Sequence, residues 1–62
     1  MSFSAQLKSE RERLGLTQAG AAAVLEVSKS AVEKWEAGFK TPIALTQEGA
    51  LARLKRYRPP KG

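Results

Sequence analysis

The chain has 62 residues, enough for one domain, and an ordinary apolar fraction that argues against wholesale disorder. It has no cysteine and no histidine, which excludes disulfides, cysteine-type zinc sites and the commonest general base. Its net charge is +5, but residues 1–52 hold six basic and six acidic side chains, so the whole excess sits in Arg53, Lys55, Arg56, Arg58 and Lys61.

A chain this short hides only about 60% of the surface its unfolded form would expose, so its stability is expected to be thin. The longest apolar run, Ala19 to Leu25, is interrupted by Gly20 and is far too short to span a bilayer. The start, Met1 to Gln6, shows neither a basic nor an apolar secretory region. A cytoplasmic location is the expectation. The basic end suits phosphate contact, and the alternative is a solubilising, partly disordered tail.

In chain order the pattern is helical throughout, and no alternating strand pattern lasts five residues. The fold class is therefore all-α. A first helix starts near Ser2 or Ser4, either of which can cap it, and runs to Leu14. Phe3, Leu7, Arg11 and Leu14 share one of its faces, and Gly15 is a natural left-handed stop. Thr17 caps a second helix that carries Ala19, Ala22, Ala23 and Leu25. Ser28 caps a third, with Val32 and Trp35 on one face and Gly38 at its end. The last helix has Leu51 and Leu54 as its buried stripe and ends near Tyr57. Its start is open between Pro42, well placed just after Thr41, and Thr46, with Glu48 favourable in the first turn. An interior Gly49 costs about 1 kcal/mol relative to alanine, which weakens the longer version. Pro59-Pro60 ends regular structure. The domain is expected to span 1–57, followed by a basic, proline-containing tail at 58–62.

Two helices joined by so short a link as Glu26 to Ser28 cross steeply, which brings their backbones together. Ala22 and Ala23 supply the small contact residues, Val27 plugs the angle, and Val32 and Trp35 close the other side. That reasoning gives a corner, not a function.

The runs Leu14-Gly15-Leu16-Thr17-Gln18-Ala19, Ala22-Ala23-Val24-Leu25-Glu26-Val27-Ser28 and Ala31-Val32-Glu33-Lys34-Trp35-Glu36-Ala37-Gly38, with Pro42, resemble the phage Cro/CI-repressor (XRE-like) helix-turn-helix family. The likeness covers roughly residues 7–42. It implies a compact four- to five-helix, lambda-repressor-like domain with its helix-turn-helix at 17–38. Three positions depart from the family pattern. Glu26 stands where glycine is usual, at a point that tends to need positive φ. Ala37 stands where an asparagine often touches phosphate, and Gly20 replaces a better helix former.

A recognition helix enters the major groove by its N-terminal residues. The resemblance puts base contacts at Lys29, Ser30 and Lys34, where lysine can donate to guanine and serine can donate or accept. Lys29 sits where the helix dipole disfavours a cation, which fits a residue kept for a partner; the alternative is a solvated lysine. Glu33 is read as pairing with Lys29 or Lys34 rather than accepting from cytosine. Phosphate contacts are expected at Thr17, Gln18, Ser28, Lys40 and Thr41, with further contacts from Arg56, Arg58 and Lys61. Gln18 could instead brace the recognition helix. The resemblance pairs Arg11 with Glu36 in a partly buried salt bridge, and Trp35 reads as core. Phe39 is expected to pack on Trp35 or to cover a dimer contact.

The expected function is sequence-specific regulation of transcription. The chain would be a dimeric repressor on a two-fold DNA operator, of the phage, mobile-element or antitoxin type, with a toxin as a further candidate partner. The alternatives are a protein-interaction module or an RNA-binding module on the same fold. No cofactor or metal and no enzymatic activity are expected, since the only acids and bases are scattered Glu and Lys.

Overall fold

Serine and threonine set three of the four helix starts. The structure, a computed structural model, describes residues 2–58. It contains α1 (Phe3–Arg13), α2 (Gln18–Leu25), α3 (Lys29–Ala37) and α4 (Ala44–Arg56), and no strand among the described residues. The hydroxyls of Ser2, Thr17 and Ser28 accept from the backbone N–H of Ala5, Gly20 and Ala31 at 3.3, 2.9 and 3.1 Å. Each satisfies a donor that the first turn would otherwise leave unpaired. Gly20 fits this scheme, because a Cβ there would lie 3.3 Å from the Thr17 hydroxyl.

The first three helices also end alike. Gly15, Glu26 and Gly38 each take a positive φ, of 70°, 59° and 80°. The N–H of the following residue then reaches back five positions, Leu16 to Arg11, Val27 to Ala22 and Phe39 to Lys34, each at 3.0 Å. These are Schellman endings, and a left-handed residue is what they require. Glu26 therefore adopts the conformation usual for the glycine it replaces, and it is the one non-glycine with positive φ among the described residues.

Two expectations need correction. In α2, Ala21 and Ala22 are the buried alanines with Leu25, while Ala19 and Ala23 face solvent. The contact with α3 turns on the 21/22/25 face, and a run of alanines carries too little contrast to show which face that is. In α4, neither Pro42 nor Thr46 marks the start. Ile43 occupies the cap position in extended backbone without a side-chain cap, and Gln47 Nε2 donates to the Pro42 carbonyl at 2.7 Å. Gly49 lies inside the helix, where burial of Ala50 and Leu54 outweighs its local cost.

The core joins all four helices: Phe3 and Leu7 from α1, Ala22 and Leu25 from α2, Val32 from α3, Ala50 and Leu54 from α4. Leu7, Val32 and Leu54 are fully buried, each worth about 1.5–3 kcal/mol by removal from water. Trp35 packs against this cluster and meets Phe3 edge-on, with ring centres 5.9 Å apart at 67°. Val27, half-buried, fills the angle of the α2–α3 corner.

Candidate nucleic-acid interface

The corner leaves one face of α3 uncovered. Ser28, Lys29, Ser30, Glu33, Lys34 and Ala37 are all exposed, while Val32 turns inward. Lys29, Ser30 and Lys34 thus share a solvent face that begins at the helix N-terminus. Lys29 Nζ stands 3.7 Å from Glu33 Oε2, one turn on. Both are exposed, so this pair is loose and exchangeable. Lys34 has no ion-pair partner among the described residues.

Behind that face, α3 is held by a carboxylate. Arg11 Nε donates to Glu36 Oε2 at 2.7 Å and Arg11 Nη2 to Oε1 at 3.0 Å, a two-pronged contact across α1 and α3. Arg11 Nη1 donates to the Leu16 carbonyl at 3.0 Å, which ties in the α1–α2 link. The hydrogen bonds to Glu36 hold the Arg11 guanidinium above its ordinary value. Gln18 Nε2 donates to Glu36 Oε1 at 3.3 Å. The Gln18 side chain thus braces the recognition helix, and what remains for a phosphate at this position is the first-turn backbone N–H. Glu36 gathers donors from α1 and α2 onto α3.

The remaining candidates lie around this frame. Thr17 and Ser28 are exposed caps; each accepts a backbone N–H and keeps its own hydroxyl proton to donate. Lys40 and Thr41 follow α3 and are exposed. Phe39 does not pack on Trp35: it is 83% exposed. Leu16 and Val27, at the same position after the other two left-handed residues, are half-buried against the core, so Phe39 is the exception.

The basic end is also corrected. Arg53, Lys55 and Arg56 belong to α4, with only Arg58 beyond it among the described residues. Lys61 lies outside the described residues. Arg53 Nη1 donates to Glu26 Oε2 at 2.6 Å and holds that carboxyl below its ordinary value. This bond between the turn and α4 spans 27 residues, and no local sequence signal announces it.

The family model for a helix-turn-helix domain matches residues 2–58 of the chain. The chain belongs to the helix-turn-helix family, of the XRE/Cro type. This is a DNA-binding family whose members are typically not enzymes. Among curated proteins and among solved structures, none matches the chain. The helix-turn-helix match takes in α4 as well as the corner, so it extends past the region where the resemblance was legible. No helix among the described residues is long and apolar enough to cross a membrane.

Proposed function

We propose that this helix-turn-helix protein is a sequence-specific repressor that reads the major groove with α3 and binds a two-fold operator as a dimer. The observation that carries this reading is the solvent face of α3, where Lys29, Ser30 and Lys34 stand clear of a helix clamped from behind through Glu36. Lys34 is the principal base contact, since it has no competing carboxylate. Lys29 exchanges its loose bond to Glu33 for a guanine edge. The hydroxyls of Thr17, Ser28 and Thr41 and the first-turn N–H of Gln18 hold phosphates and set the register. Arg56 and Arg58 add sequence-independent attraction. Half-sites lie about one DNA turn, ~34 Å, apart. A small regulator of this build suits a phage, a mobile element or an antitoxin that represses its own operon.

The test is selection of duplexes from a randomised pool at moderate salt. A repressor of this kind enriches a palindromic motif. Lys34→Ala then changes the preferred base at one position of each half-site, at a cost of about 1–3 kcal/mol in discrimination. A pool that emerges with no sequence preference would overturn the reading, and preferential retention of RNA would favour the RNA-binding alternative.

A further inference from the structure

Three of the largest apolar side chains stand in solvent within seven residues: Phe39 at 83% exposure, Ile43 at 71% and Leu45 at 75%. They lie on the link after α3 and on the first turn of α4. Monomeric domains seldom leave such a cluster uncovered. The cluster lies off the DNA-reading end, because α3, with nine residues, puts about 13 Å between its N-terminus and Phe39.

The flanking charges identify the occupant. Lys40 lies inside one end of the cluster and Glu48 one helical turn past Leu45 at the other. Both are exposed, and neither has an ion-pair partner among the described residues. A patch with an unpaired cation at one end and an unpaired anion at the other complements itself when turned by two-fold rotation. Shape agrees with this. Beside the patch a shallow groove is lined by Leu25, Val27, Trp35 and Ala50, with Thr46 and Gly49 along α4. A Cβ on Gly49 would meet nothing within 4 Å, so this stretch of α4 is open to an incoming side chain.

We infer that the Phe39–Glu48 segment is the self-association surface of this protein, joining two copies about a two-fold axis. Lys40 of each copy meets Glu48 of the other, around a shared centre of Phe39, Ile43 and Leu45. The inference rests on the two-fold reading above and specifies the surface that makes it. It assigns Lys40, a phosphate candidate by resemblance, to the second copy instead. A standard interface takes about 800 Å² from each partner, close to a fifth of the 4281 Å² this chain exposes. Three side chains form the centre of such an area rather than all of it. The free dimer is therefore weak and concentration-dependent, and a duplex carrying two half-sites strengthens it. An axis at this patch also leaves each recognition helix within about 17 Å of it, half of one DNA turn.

The experiment is sedimentation of the free protein over a wide concentration range, without DNA, so that phosphate contacts play no part. Wild type forms dimers at high concentration. Lys40→Glu places glutamates opposite each other and Glu48→Lys places lysines opposite each other. Each variant alone shifts the dimer midpoint at least about tenfold upward, with helical content unchanged. An equimolar mixture of the two restores dimers, because a mixed pair regains both attractive contacts. Phe39→Ser weakens association without that rescue. If the mixture stays monomeric, or the single variants associate like wild type, the assignment of this surface is overturned. If wild type then still binds the selected duplex two to one, the two-fold reading stands with another interface. Wild type that is monomeric when free and binds the selected duplex one to one overturns both.

Discussion

Glu36 accepts from three donors, Nε and Nη2 of Arg11 and Nε2 of Gln18, with only 6% of its side chain exposed. Arg11 is 14% exposed. Removing one member of such a pair leaves the other charge stranded away from water, which costs about 3 kcal/mol or more. A chain of 62 residues has a total stability of roughly 3–9 kcal/mol at ordinary values per residue. Glu36→Gln should therefore bring the domain close to unfolding, and urea denaturation measures it. Gln18→Ala, which removes a single longer hydrogen bond, should cost about 1 kcal/mol or less. A Glu36→Gln variant within about 0.5 kcal/mol of wild type would show that the clamp contributes little. The meeting of Arg11 and Glu36 was available from family spacing. That Gln18 shares the same carboxylate was one of two options for its side chain. The Glu26–Arg53 bond was not available at all, since 27 residues separate its ends.

The elements repeat one design: a hydroxyl at the start and a left-handed residue at the end. Glycine supplies the end of α1 and of α3, and glutamate supplies the end of α2. A side chain in that conformation costs about 1 kcal/mol or somewhat more. The exposed Arg53 contact returns only a fraction of it. Glu26→Gly should therefore stabilise the protein by about 0.5–1 kcal/mol, seen as a Tm rise of a few degrees. Gly38→Ala, in open space but at a φ of 80°, should destabilise it by about 1 kcal/mol. Calorimetry that found both substitutions neutral would contradict the strain argument. Starts and stops were legible because Ser2, Thr17, Ser28, Gly15 and Gly38 each have a local reason to sit where they do. The buried face of α2 was not, because Ala19, Ala21, Ala22 and Ala23 are interchangeable by hydropathy. The start of α4 was not either, because Ile43 offers no capping side chain and only tertiary burial selects the longer helix.

At the scale of the molecule, charge is arranged in pairs and ends. Arg13 holds Glu10 below the ordinary carboxylate value of 4.5, and Arg53 does the same for Glu26. A depressed carboxylate contributes stability that is fully present above its unfolded value. That contribution is lost as pH falls through the lower folded value. The urea midpoint should therefore hold steady around neutrality, where the chain has no histidine to titrate, and fall as pH drops below about 4.5. High salt should shrink the fall, since both pairs are exposed. A midpoint that rose on acidification would contradict the sign of these shifts. The excess of positive charge was legible as a number and misleading as a place, because most of the described part of it rides on α4 rather than on a tail.

The clamp behind α3 also bears on entropy. A segment of nine residues that ordered only on meeting DNA would lose about 1–2 kcal/mol of backbone freedom per residue, roughly 9–18 kcal/mol in all. Here Glu36, Val32 and the Ser28 cap have already fixed those residues in the free protein. The recognition helix reaches the groove with its ordering cost met during folding, so contacts from a few side chains are enough to discriminate between sequences.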